Sequence, residues 1–70
     1  MYNILRNGTL LIQVNTFKDA ITVILDHINR ELDEHLDRNQ IYWKYEKDRW
    51  YIDVDYPYPL EHNYVIIKLE

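Results

Sequence analysis

Seven of the ten aromatic residues of this 70-residue chain fall between Ile41 and Tyr58, and charged residues alternate with them at a spacing of two. Successive side chains on a strand point to opposite faces, so a period of two is strand spacing rather than helix spacing. The stretch reads as two strands, Ile41–Lys47 and Arg49–Tyr56, joined by a tight turn around Lys47-Asp48. That register sets Tyr45 opposite Trp50, Trp43 opposite Ile52 and Ile41 opposite Val54. All six then share one face, so pairing and hydrophobic pattern agree.

The rest of the chain is organised around this hairpin. Asn7-Gly8 separates Tyr2–Arg6 from Thr9–Val14, and Asn-Gly readily takes the positive φ values of a type I′ hairpin turn. In that register Leu5 lies opposite Leu10, Ile4 opposite Leu11 and Tyr2 opposite Gln13. Thr16 is a suitable N-cap, with Asp19 three residues on, where a carboxylate favours a helix start. From Phe17 the residues Ala20, Ile21, Ile24, Leu25, Ile28, Leu32 and Leu36 recur at steps of three and four, the stripe of one long helix from about Phe17 to Asp37. Pro57 and Pro59 hold Tyr56–Pro59 extended or turned. Asn63–Leu69 is a last strand.

The fold class is therefore α+β: one long amphipathic helix on one face of a four- or five-stranded antiparallel sheet, in the order ββαβββ, as a single domain over residues 1–70. Alternation predicts an inward face of Leu5, Leu10, Ile12, Val14, Ile41, Trp43, Tyr45, Trp50, Ile52, Val54, Val65, Ile67 and Leu69. The helix shields only that side. The reverse side is expected to carry Tyr2, Ile4, Leu11, Tyr42, Tyr51, Tyr64 and Ile66, with Lys44, Asp53, Asp55, Lys68 and Gln13 among them. Tyrosine combines a broad apolar ring with a hydrogen-bonding tip and is enriched at interface hot spots.

Composition narrows the functional classes. The net charge is −4, spread evenly along the chain, which suits neither phosphate backbones nor anionic membranes. No apolar run approaches the roughly 18 residues of a membrane span, and Met1–Val14 does not resemble a signal peptide. The expectation is a soluble, cytoplasmic protein. Cysteine and serine are both absent, which removes the commonest nucleophiles. Gly8 is the single glycine, so there is no phosphate-binding loop and no motif that calls for a cofactor. His27, Glu31 and His35 share one helix side, but histidines eight residues apart stand about 12 Å apart along the axis, too far for one metal ion. Asp53 and Asp55 point the same way on one strand and pair naturally with Lys44 or Lys68.

These readings converge on a small non-catalytic protein-binding module, an inhibitor or regulator that occludes a partner's functional surface. The partner would be another protein, a nuclease or nucleic-acid-binding protein among the classes that fit. Phage-borne antagonists of host defence belong to this type by general character alone. Two surfaces qualify: Tyr42, Tyr51, Tyr64 and Asp53 on the sheet, and an acidic ridge of Asp26, Asp33, Glu34 and Asp37 on the helix. The alternatives are a homodimer through the open sheet face and a single-stranded nucleic-acid binder using the same tyrosines.

Overall fold

The computed structural model describes residues 1–69. Along the chain it forms strands β1 (Tyr2–Arg6) and β2 (Thr9–Val14), helix α1 (Phe17–Leu32), a short 3-10 turn (Arg38–Gln40), and strands β3 (Ile41–Glu46), β4 (Arg49–Val54) and β5 (Tyr64–Lys68). The class is α+β, with one helix and one five-stranded antiparallel sheet in the expected chain order. The sheet order is β2-β1-β5-β4-β3. The two hairpins do not pair with each other; β5 lies between them and pairs with both β1 and β4.

Both hairpin turns have backbone in the left-handed region. Asn7 (φ 52°) and Gly8 (φ 82°) close the first, as the sequence predicts. Lys47 (φ 52°) and Asp48 (φ 63°) close the second with no glycine. The β3–β4 register is the expected one: Tyr45 with Trp50, Trp43 with Ile52, Ile41 with Val54. In the first hairpin Leu5 does face Leu10, but Ile4 pairs with Ile12 and Tyr2 with Val14. A bulge between Ile4 and Leu5 inserts an extra residue on β2 and shifts the register beyond it.

The helix starts where predicted. Thr16 Oγ1 accepts a hydrogen bond from the Asp19 N–H at 3.0 Å. It stops at Leu32, short of the expected Asp37. Asp33 adopts a left-handed conformation (φ 53°), and the N–H groups of Asp33 and Glu34 both turn back onto the Asn29 carbonyl, which terminates the helix as a Schellman-type cap does. The Asn29 side chain then holds the returning chain at Leu36: Nδ2–H donates to the Leu36 carbonyl at 3.1 Å and Oδ1 accepts from its N–H at 2.8 Å.

The core joins Ala20, Ile21, Ile24 and Ile28 of the helix to Ile4, Ile41, Ile52, Val54, Tyr64 and Ile66 of the sheet. Each buried isoleucine contributes about 1.5–3 kcal/mol relative to exposure. On β1 and β5 the buried phase is opposite to the expected one. Ile4, Tyr64 and Ile66 point at the helix, and Leu5, Val65 and Ile67 alternate to the other side. The expected phase holds on β3 and β4, with a qualification. The helix lies over β1 and β2, so Trp43 and Tyr45 on the far edge strand face its side yet stay half-exposed. Trp43 gains an edge contact with Phe17 at the start of the helix (ring centroids 5.3 Å), and Tyr45 packs on Trp50 (4.8 Å). Among the described residues, no helix is long and apolar enough to cross a membrane.

Candidate interaction surface

The side of the sheet away from the helix is assembled by the register. Strand pairings align Leu10, Leu5, Val65, Tyr51 and Lys44 in one row across all five strands. A second row, one pleat along, holds Gln13, Asn3, Ile67, Arg49 and Glu46. On the other flank of the first row, Asp53 and Tyr42 pair with each other. The centre of this face is aliphatic and aromatic, and its β3–β4 half carries two residues of each charge sign.

Tyr42 (54% exposed) and Tyr51 (42% exposed) stand on this open face as the sequence predicts, with Asp53. They line a shallow depression of about 600 Å³ with Lys44, whose far rim is Pro59, Leu60 and Asn63. Asp53 Oδ1 accepts from the Val54 N–H at 2.8 Å. Lys44 Nζ pairs with Glu46 at 3.2 Å in the open, an ion pair of little energetic weight.

Tyr64 does not belong to this face. It is 2% exposed, beneath the helix, and its hydroxyl is buried with no hydrogen-bond partner. Burial pushes that phenol above its usual pKa and the Glu31 carboxylate adds to the effect, while Arg6 acts in the opposite direction. Tyr2, Ile4, Leu11 and Ile66, also expected outside, pack in or against the core. Their places outside are taken by Leu5, Leu10, Val65 and Ile67. Of the seven ring-bearing and aliphatic residues expected on this face, Tyr42 and Tyr51 lie on it and the other five do not.

The acidic ridge is not carried by one helix face, because the helix ends before three of its members. Asp26 pairs with Arg30 at 2.8 Å on the helix surface. Asp33 is the left-handed residue at the helix end. Glu34 accepts from the Tyr56 hydroxyl at 3.3 Å, and Asp37 caps the 3-10 turn by accepting from the Arg38 N–H at 2.7 Å. Burial raises the Tyr56 phenol pKa, and the Glu34 charge adds to it.

A polar cluster that sequence reasoning missed lies where the first hairpin turn and the segment before β5 meet the helix end. The Asn7 N–H donates to the Asn63 carbonyl (2.9 Å), and Asn7 Oδ1 accepts from the Asn63 N–H (3.0 Å). With its oxygen so engaged, Asn7 presents Nδ2 to His62 Nδ1 at 2.7 Å. His62 Nε2 lies 3.3 Å from Glu31 Oε1, a buried oxygen with no hydrogen-bond partner among the described residues. Glu31, Glu61 and His62 bring ligand-type atoms within 4.8 Å of one another. These contacts tie the segment before β5 to the first hairpin turn and to the helix end. His27 and His35, weighed with Glu31 from the sequence, are not part of it.

Comparison of the chain with protein-family models, with curated proteins and with solved structures finds no match. The functional reading rests on the surface itself.

Proposed function

We propose that this protein is a small non-catalytic protein-binding module and that the open sheet face is the surface it binds with. The observation that carries the reading is the row of Leu10, Leu5, Val65 and Tyr51 across the side of the sheet away from the helix, with Leu10 and Tyr51 exposed, Leu5 and Val65 half-buried, and exposed charges of both signs on its flanks. A contiguous apolar strip with a charged rim is the anatomy of an interface, and exposed tyrosine is its usual anchor. Such a module acts by covering a partner's functional surface, as small inhibitors and regulators do. The acidic net charge favours partner surfaces that are basic, including those that normally hold nucleic acid.

The test is capture from native lysate with the wild-type chain and with Tyr51→Asp as baits, read by quantitative mass spectrometry. A protein retained by the first and lost with the second supports the reading. Identical captures from both baits, with both folded by circular dichroism, would remove the open face from it.

A further inference from the structure

We infer that the occupant of the open face is a second copy of this chain, related by a two-fold axis that runs along the row Leu10, Leu5, Val65, Tyr51 and Lys44. The inference rests on reading that face as an interaction surface, and it puts a second copy there in place of a foreign partner. Its basis is the register. A two-fold along the central row lays each of its residues against its own counterpart, so that Leu5, Leu10, Val65 and Tyr51 pack apolar on apolar. It also exchanges the two flanks. Arg49 and Asp53 lie on β4 on opposite sides of Tyr51, one pleat away in each direction. The rotation therefore brings Arg49 of one copy over Asp53 of the other, twice. On β3 it likewise brings Glu46 over the Tyr42 of the other copy, a carboxylate facing a phenol. Among the described residues neither Arg49 nor Asp53 has an ion-pair partner within its own chain.

Charge and size both favour this occupant. Two chains of net charge −4 repel, yet Lys44, Arg49, Glu46 and Asp53 make this face neutral. Lys44 meets Lys44 at the edge strand, where its own Glu46 already pairs with it. By strand spacing and rise, five strands of this length present about 24 Å by 17 Å, roughly 400 Å² in projection. Small specific interfaces bury about 600 Å² per partner. The side-chain corrugation can supply the difference only if the whole face is covered, which requires a flat occupant of equal extent. A second sheet in aligned sandwich packing is such an occupant, and the rotation leaves the strands of the two copies aligned.

The test is sedimentation equilibrium over a concentration series for wild type, Arg49→Asp, Asp53→Arg and an equimolar mixture of the two variants. The expected result is a wild-type mass of two chains and a dissociation constant at least about tenfold higher for each single variant. In the mixture both cross-interface pairs are again opposite in sign, so the dimer returns. A monomeric wild type overturns the inference and leaves the face to a foreign partner, which the Tyr51→Asp capture judges separately. Dimers that ignore both substitutions, or a mixture that fails to recover, overturn it as well. If a reversal fails to fold, Arg49→Gln, Asp53→Asn and their double variant serve instead. A double variant much weaker than either single would count against the pairing.

Discussion

Replacing Tyr64 by phenylalanine should make the protein more stable. The ring sits at 2% exposure, and phenylalanine keeps its volume and its contacts. What disappears is a buried hydroxyl with no hydrogen-bond partner. A polar group left in that state costs about 1–3 kcal/mol of desolvation. Some of this is recovered from the nearby Arg6, so the expected net gain is about 1 kcal/mol. In a domain of this size that raises Tm by roughly 4–8 °C. The pH dependence supplies a second readout. The folded state raises the Tyr64 pKa above 10.0, through burial first and Glu31 second. Above the unfolded pKa the unfolded chain has lost the phenol proton while the folded chain keeps it, so stability falls as pH rises. The contribution is complete below about pH 10 and is lost as pH climbs through the folded value. Tyr64→Phe should flatten the alkaline limb of a stability-versus-pH curve from urea melts. Tyr45 and Tyr56, whose pKa values are also raised, retain a residual slope. A loss of more than about 1 kcal/mol at neutral pH, the usual worth of a made hydrogen bond, would show that the hydroxyl has a partner and refute the reasoning.

Three further substitutions probe the frame. Asn29→Ala removes both side-chain hydrogen bonds to Leu36 and should cost about 1–3 kcal/mol in chemical denaturation, since it frees the chain after the helix. Lys47→Asn places a residue that tolerates the left-handed region at φ 52°, and should raise the denaturation midpoint by an amount equivalent to about 0.5–1 kcal/mol. Ile24→Ala opens a cavity at a fully buried position and should cost about 2–5 kcal/mol. That is much of the stability available to a domain of this length, so circular dichroism should show a largely unfolded variant at physiological temperature.

The sequence made the second hairpin legible down to its register, because aromatic and charged residues alternate there without ambiguity. The helix start was legible through Thr16. Its end was not: Leu36 continues the apolar spacing, and the stop depends on Asn29 reaching seven residues forward to hold it. The facing of β1 and β5 was lost for a different reason. In Tyr-Val-Ile-Ile both alternating phases are nearly as apolar as each other, and in Tyr-Asn-Ile-Leu each phase holds one aliphatic residue, so period two gives little direction. Only the pairing of Ile66 with Ile4 and Trp50 decides it, and pairing across long stretches of chain leaves no local mark. Tyr42, Tyr51 and Asp53 were placed correctly because they lie on the hairpin whose alternation is clear. Tyr64 was misplaced because it lies on the strand whose alternation is not.

The position of β5 between the hairpins has a consequence for how the molecule assembles. As the chain leaves a ribosome, the first hairpin with its helix and then the second hairpin emerge with no strand pairing between them, only the side-chain contacts of the core and of Phe17 with Trp43 and Trp50. The strand that unites them is the last of the five to appear, so sheet closure waits on it. A synthetic peptide spanning Asn63–Leu69, added to a chain ending before it, would act as the missing keystone, and the two halves should lock only when it arrives.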